Sequence, residues 1–337
     1  MENIDVDILR EEAVDDRIDI PTGHWIIKKR ETFNTPTHLY LPEGSVLYCS
    51  DDVGLYFAEG AVDSVIEGKG KIVGLKGCRY PVWFHGAKRS SVKDVTIEVR
   101  DVDAKQGLCL AACSRMVVDS VTLIGPKPAP YDDQLHRYSS RQPAGILLRT
   151  DGELHSDFIL QNCIVSGFGI GILTGTVERL TIRDCIVNNT SGQHGMYLSS
   201  TTDTVVVDNV VNGSALQGIK LQCTDKDGRD AGRAIVQGNL LTGIKSHGIL
   251  ITSTGNREHT YKDCIVMNNT ILGHKPEEGE CAAIRVLTKR RLSPSSDDDS
   301  ILIKGNTSLG FARHLLHTGF DGGTFSNIET LEPQGNT

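Results

Sequence analysis

Apolar residues return along this chain in short alternating runs, not in helical periods, and the runs arrive at regular intervals. A dipeptide of Asp, Asn or Gly followed by a small or polar residue marks each return. The instances are Asp119-Ser120, Asn162-Cys163, Asp184-Cys185, Asp208-Asn209, Gly238-Asn239, Asn268-Asn269 and Gly305-Asn306, with Asp94-Val95 as a weaker first member. From Asn162 onward the intervals are 22, 24, 30, 30 and 37 residues. In four units a Gly then opens a strand of period-two alternation: Gly171-Ile-Leu-Thr, Gly195-Met-Tyr-Leu, Gly218-Ile-Lys-Leu and Gly248-Ile-Leu-Ile. The gap from the dipeptide's second residue to this Gly is eight, ten, nine and nine residues. Units of this length, each with two or three β segments, predict an all-β parallel β-helix, where a coil buries its apolar face only by stacking on its neighbours. Leucine-rich and helical arrays need consensus positions that are missing here.

The chain reads as one solenoid with an N-terminal cap over 1–17, coils over 18–318 and a tail over 319–337. Residues 5–17 mix Ile, Leu and Val with charged residues in the manner of a short amphipathic helix, which would cover the unpaired edge of the first coil. The tail is Gly-rich and offers only Phe320, Phe325, Ile328 and Leu331 as apolar anchors, a thin cap that leaves a homo-oligomer joined through this end open. Three early segments follow in order: Ile18-Asp-Ile-Pro-Thr-Gly-His-Trp, Leu39-Tyr-Leu-Pro-Glu-Gly and Val65-Ile-Glu-Gly-Lys-Gly-Lys-Ile-Val-Gly. This succession resembles the opening of the pectate-lyase-like superfamily of right-handed parallel β-helix proteins, and the resemblance continues through the repeats to Gly310. It implies a right-handed coil and a carbohydrate-active protein, but its motifs are architectural and shared by lyases, epimerases, hydrolases and phage tailspikes.

Composition narrows the chemistry. Aromatic residues make up 5% of the 337, so a sugar-binding face has few stacking rings to draw on. The formal charge is −8, and Lys and Arg form no continuous stripe, so nucleic acid is not expected as a partner. The nine cysteines show no C-x-x-C pair and no zinc spacing, and Cys163, Cys185 and Cys264 sit in Asn/Asp-Cys-Ile-Val runs that suit small buried side chains. Unpaired thiols favour a reducing compartment or a virion. Residues 1–19 lack the apolar core of a signal peptide, and no 18-residue apolar run suggests a membrane span. No cofactor or metal site is expected. The Asp225-Lys-Asp-Gly-Arg-Asp run lacks the spacing and terminal Glu of an EF-hand and reads as a solvated turn. Asn209, Asn239, Asn269 and Asn306 fall at equivalent positions and predict an internal side-chain ladder at a bend.

Side chains alternate across a strand, so the Gly-led strands divide into inward and outward positions. The residue after Gly points inward: Ile146, Ile172, Met196, Ile219, Ile249 and, after Ala283, Ile284. The outward set then holds Arg149, Tyr197, Ser199, Lys220, Gln222, Thr252 and Arg285, with His194, Gln217 and His247 just before Gly and with Trp83 and His85 extending the face toward the first coils. Longer insertions at 126–143, 224–232, 253–262, 273–281 and 288–299 place walls along both borders, making this sheet the floor of a groove.

No Asp or Glu occurs among these outward positions. Glycoside hydrolysis needs two carboxylates about the glycosidic bond, and a calcium-dependent lyase needs several for its ion, so both would depend on loop acids such as Asp151, Asp203, Asp225, Asp227, Asp230 and Glu258. A metal-free polysaccharide lyase or uronate C5-epimerase instead needs a base, a proton carrier and a cation to neutralise the substrate carboxylate. The sequence assigns Lys220 or His194 as base, Tyr197 as acid or second proton carrier, and Arg285 or Arg149 as carboxylate clamp. Gln217, Gln222, His247, Trp83 and His85 are assigned to substrate binding. Each has a plainer reading beside it: a His before Gly can simply bond a carbonyl, Lys and Arg can be solvated charges, and Trp83 can belong to the core. A hydrolase of the tailspike kind and a non-catalytic glycan-binding or structural spike module stand as the alternatives.

Overall fold

The computed structural model describes residues 2–3, 17–127, 142–149, 155–224, 231–254, 261–273, 281–287, 301–311, 313–318 and 328–330. Within them every strand pairing is parallel, and three sheets of thirteen, twelve and eleven strands run the length of the molecule. One coil shows the plan. Val177–Arg183 lies in the twelve-stranded sheet, the chain turns at Asp184 and Cys185, Ile186–Thr190 joins the thirteen-stranded sheet, and Met196–Ser199 joins the eleven-stranded sheet. The next coil repeats this one level up, with Thr201–Val207 paired to Val177–Arg183.

The turn explains the repeat. Its first residue holds a left-handed backbone in coil after coil, with φ of 57° at Asp94, 56° at Ser120, 55° at Asn162, Asp184 and Asp208, 67° at Gly238, 53° at Asn268 and 63° at Gly305. Asn, Asp and Gly tolerate that region best, so the sequence keeps returning to them. The left-handed residue in one early coil is Ser120, so the pair there is Ser120-Val121 and not Asp119-Ser120.

The turn's second residue faces the interior. Asn239 Oδ1 accepts from Asn209 N at 3.0 Å and from Asn209 Nδ2 at 2.9 Å, and the same pattern links Asn239 to Asn269 and Asn269 to Asn306. Each amide also donates to a backbone carbonyl: Asn209 to Ile182, Asn239 to Val206, Asn269 to Val236 and Asn306 to Val266. The predicted ladder is therefore a continuous hydrogen-bonded column of buried amides. Cys163 and Cys185 hold the same place in earlier coils, each with Sγ near a backbone oxygen, at 3.2 Å from Gln161 O and 3.3 Å from Arg183 O.

The interior of the eleven-stranded sheet is the predicted apolar column, with Ile146, Ile172, Met196, Ile219, Ile249 and Ile284 all buried and in register. Phe33, Phe57 and Phe84 stack in the first coils at centroid separations of 4.5 and 4.3 Å. The Gly that opens each strand is required by close approach. A β-carbon on Gly195 would lie within 3.0 Å of Val211 Cγ1 and 2.7 Å from Gly218 O. Among the described residues no helix is long and apolar enough to cross a membrane.

At the N-terminal end Glu2–Asn3 pairs with Gly23–Ile27, so strand pairing begins before residue 18; the expected helix over 5–17 falls almost wholly outside the described residues. At the other end Ile328–Thr330 pairs with Asn306–Leu309, inside the segment read from sequence as tail.

A second left-handed column runs through or just ahead of the first residues of strands in the twelve-stranded sheet and carries charge on the outer surface: Asp63, Arg89, Arg115, Asp157, Arg179, Asp203, Arg233 and Asp263. Arg89 binds Asp63 through two bonds of 2.8 Å, Arg179 binds Asp157 at 2.6 and 3.1 Å, and Arg233 binds Asp203 at 2.5 and 2.8 Å.

Candidate functional site

The eleven-stranded sheet presents three outward columns. The central one runs Tyr56, Trp83, Cys109, Leu147, Leu173, Tyr197, Lys220, Leu250, Arg285 and Leu316 in unbroken register. Beside it, His85, Ala111 and Arg149 align in the early coils, and Ser199, Gln222, Thr252 and Leu287 in the later ones. The third consists of the residues just before Gly, among them Gln106, Ala144, Ile170, His194, Gln217 and His247. None of these described positions carries Asp or Glu.

Tyr197 is the centre of the polar cluster. Its hydroxyl donates to Gln222 Oε1 at 2.7 Å, His194 meets its ring edge-on at 5.0 Å, and the Lys220 amine lies 4.6 Å from its ring centroid. Lys220 and Tyr197 therefore meet through the ring face, not through the phenol oxygen. Burial pushes the Lys220 amine down to about 8. His194 is only 2% exposed; burial first, and then the Lys220 charge, push it down to about 3. Its Nδ1 is buried without a hydrogen-bond partner among the described residues. Between the two sequence candidates for base, the amine has a proton affinity matched to neutral or mildly alkaline work, and the imidazole is a weak base held neutral.

Arg285 and His247 form the second group, and Arg285 stands two coils beyond Lys220 in the same column. Ala282 N donates to His247 Nδ1 at 3.1 Å, which fixes the neutral ring with its proton on Nε2. Arg285 Nη1 lies 3.0 Å from that Nε2. Two donors thus face one another, an arrangement that an acceptor such as a carboxylate oxygen relieves. His247 is pushed down to about 4 by burial and then by the Arg285 charge, so the neutral state holds at ordinary pH. Gln217 Nε2 donates to Ser246 Oγ at 3.2 Å.

Arg149 is exposed, in the column beside Tyr197 and two coil steps before it, the interval that also separates Arg285 from Lys220. Trp83 and His85 are remote from this cluster, in an aromatic group that the sequence only half revealed. Tyr80 stacks on Trp83 at 4.8 Å, Tyr56 meets Trp83 edge-on at 5.4 Å, and the Tyr56 hydroxyl lies 2.7 Å from His85 Nδ1. Tyr56 was legible in Gly54-Leu-Tyr-Phe, which has the same Gly-led alternation as the later strands. Tyr80 gave no such signal, because it precedes a Pro and falls before the alternation starts.

Of the loop acids, Asp203 does not lie on the eleven-stranded sheet. It belongs to the charged column of the twelve-stranded sheet, and its bond to Arg233 holds its carboxyl below the usual range. Asp151, Asp225, Asp227, Asp230 and Glu258 lie outside the described residues. The insertions attach on both borders of the eleven-stranded sheet, after Lys127 and Gly273 on one side and after Arg149, Thr224, Thr254 and Leu287 on the other. Among the described residues no three His, Cys, Asp or Glu side chains gather as a metal cluster.

Residues 82–271 match the family model for the right handed beta helix region, and the chain belongs to that family. No curated protein matches it. Solved structures share the fold at low identity. An alginate lyase from Paenibacillus sp. str. FPU-7 aligns with a TM-score of 0.59 at 14% identity over 85% of this chain and 92% of that one. The Streptococcus pneumoniae surface protein and adhesin PfbA aligns at 0.64 and 14%, over 96% and 92%. A tailspike double mutant of E. coli bacteriophage HK620 in complex with pentasaccharide aligns at 0.67 and 13%, over 98% of this chain and 61% of that one.

Proposed function

We propose that this chain is a carbohydrate-active protein that binds an acidic polysaccharide along the eleven-stranded sheet and removes the C5 proton of a uronate unit, leading to β-elimination or C5-epimerisation. The observation that carries this reading is that the Lys220–Tyr197–His194 group and the His247–Arg285 pair, two coils on, share one face whose described outward positions carry no Asp or Glu. The alginate lyase and the pentasaccharide-bound tailspike among the structures of like fold are consistent with a glycan ligand.

In this reading the uronate carboxylate accepts from Arg285 and from His247 Nε2–H, which neutralises its charge and acidifies the neighbouring C5–H. Neutral Lys220 takes that proton. The electron pair left on C5 is delocalised into the carboxylate; in elimination it then forms the C4–C5 double bond as the C4–O bond breaks, and the departing oxygen takes a proton from Tyr197. Gln222 orients the Tyr197 hydroxyl. In epimerisation the C4–O bond survives and Tyr197, as second proton carrier, returns a proton to C5 from the face opposite Lys220. His194, neutral throughout, lines the pocket without competing for the proton.

The test is incubation with a panel of uronic-acid and neutral polysaccharides, followed by ultraviolet absorbance of the unsaturated uronide, reducing-end release and solvent hydrogen exchange at C5. New absorbance supports elimination, and exchange without absorbance supports epimerisation. Reducing ends without either sink the proposal in favour of hydrolysis by loop acids, and binding with no turnover leaves a glycan-binding module.

A further inference from the structure

The chain has ten Tyr and Trp residues in all, and three of them, Tyr56, Tyr80 and Trp83, gather with His85 on the outward face of the eleven-stranded sheet in the early coils. Trp83 is half-buried, with its indole N–H turned into the protein and its ring set between those of Tyr56 and Tyr80. Guanidinium groups surround the rings: Arg30 lies 5.1 Å from the Tyr56 centroid and Arg79 lies 5.9 Å from that of Tyr80, with Arg79 also bound to Asp52. Below the rings the apolar residues Cys109, Ala111 and Leu147 complete a second hydrophobic cluster outside the solenoid core. Flat rings with flanking cations suit a pyranose that carries a carboxylate.

Register fixes how far this platform lies from the chemistry. Trp83 and Lys220 share one column, separated by Cys109, Leu147, Leu173 and Tyr197, hence by five coil steps. At roughly 4.8 Å per step the separation is about 24 Å. A pyranose ring spanned from O1 to O4 has a length comparable with one such step, so an extended polysaccharide advances by about one sugar per coil.

We infer that Tyr56, Tyr80, Trp83 and His85 form a distal subsite for an acidic sugar, so that the groove engages internal stretches of a polymer and favours chains of about six units or longer. This rests on the proposed uronate chemistry for the reacting end, but the platform can be tested without it. In a Trp25→Phe background Trp83 is the sole tryptophan. Titration with oligomannuronates, oligoguluronates and oligogalacturonates of increasing length is expected to change its emission only once the chain spans both sites. In turnover, kcat/KM is expected to step up by about tenfold at that length, to lose the step in Trp83→Ala and to keep most of it in Trp83→Phe. Circular dichroism of Trp83→Ala establishes that the variant is folded.

A length profile identical in Trp83→Ala and the parent overturns the inference, as does an emission that stays constant while long chains are turned over or bound. Emission change without turnover of any uronate leaves the subsite standing and removes the proton-abstraction reading instead.

Discussion

The Lys220 amine rests over the face of Tyr197, 4.6 Å from the ring centroid, in the next coil of the same column. The amine is half-buried there, and the loss of water around its charged form is why its proton is held more weakly than in water, the ring face notwithstanding. As the base in proton abstraction, Lys220 must be neutral. Activity is therefore expected to rise with pH through about 8, where burial has placed this group. A pH series of kcat/KM checks this, and a profile flat through that region removes Lys220 from the role. Lys220→Ala combined with His194→Ala is expected to abolish turnover.

His194 couples the same pocket to acid stability. Its folded value of about 3 lies below the ordinary 6.5, so between them the unfolded chain takes up a proton that the folded chain refuses. Stability is full above the ordinary value and is lost as pH falls toward the folded one, by about 3 kcal/mol over the first two to three pH units. Denaturant unfolding at neutral and acid pH is expected to show a smaller acid loss in His194→Gln than in the parent. An equal loss in both locates the acid sensitivity elsewhere.

The amide column makes a prediction about the core. Asn239 Oδ1 serves both donors of Asn209, and its own Nδ2 donates to Val206 O and Asn269 Oδ1. Asn239→Ala orphans groups on both neighbouring coils and is expected to cost about 2–4 kcal/mol in chemical denaturation. A loss below about 1 kcal/mol would mean that water replaces the amide.

Gly195→Ala tests the tight corner. The new methyl meets Val211 and the carbonyl of Gly218, so about 1–3 kcal/mol of destabilisation is expected. Since part of that clash is with a side chain, Val211→Ala should recover some of it in a double-mutant cycle.

Asp203 separates two chemistries. Its carboxylate is bound by Arg233 on the outer surface of another sheet, so Asp203→Asn is expected to shift stability by less than about 1 kcal/mol and to leave turnover intact. Lost turnover in a folded Asp203→Asn protein would favour acid-driven hydrolysis.

The sequence disclosed what repetition encodes. Left-handed turns demand Asn, Asp or Gly, and packed corners demand Gly, so coil boundaries and the inward column from Ile146 to Ile284 were readable from one chain. Outward register followed from the same alternation, which put Tyr197, Lys220 and Arg285 in one column. What the alternation could not give was where long side chains lean. The engagement of the Tyr197 hydroxyl by Gln222, the donor-to-donor meeting of His247 and Arg285, and the stacking of Tyr80 on Trp83 all depend on rotamers. Asp203 was misplaced because its neighbourhood reads as loop, whereas Thr201–Val207 is a strand of the twelve-stranded sheet.

The outer column of Asp157, Arg179, Asp203, Arg233 and Asp263 bears on assembly as well as stability. Coils this alike can stack out of order while the chain folds, with one level skipped and the interior still greasy. Skipping a level here sets Asp157 against Asp203, Arg179 against Arg233 or Asp203 against Asp263, each a like-charged encounter where the native order has opposite charges. The alternation thereby works as a parity mark on the winding, with each skipped level penalised by like charges on top of the lost native pairs.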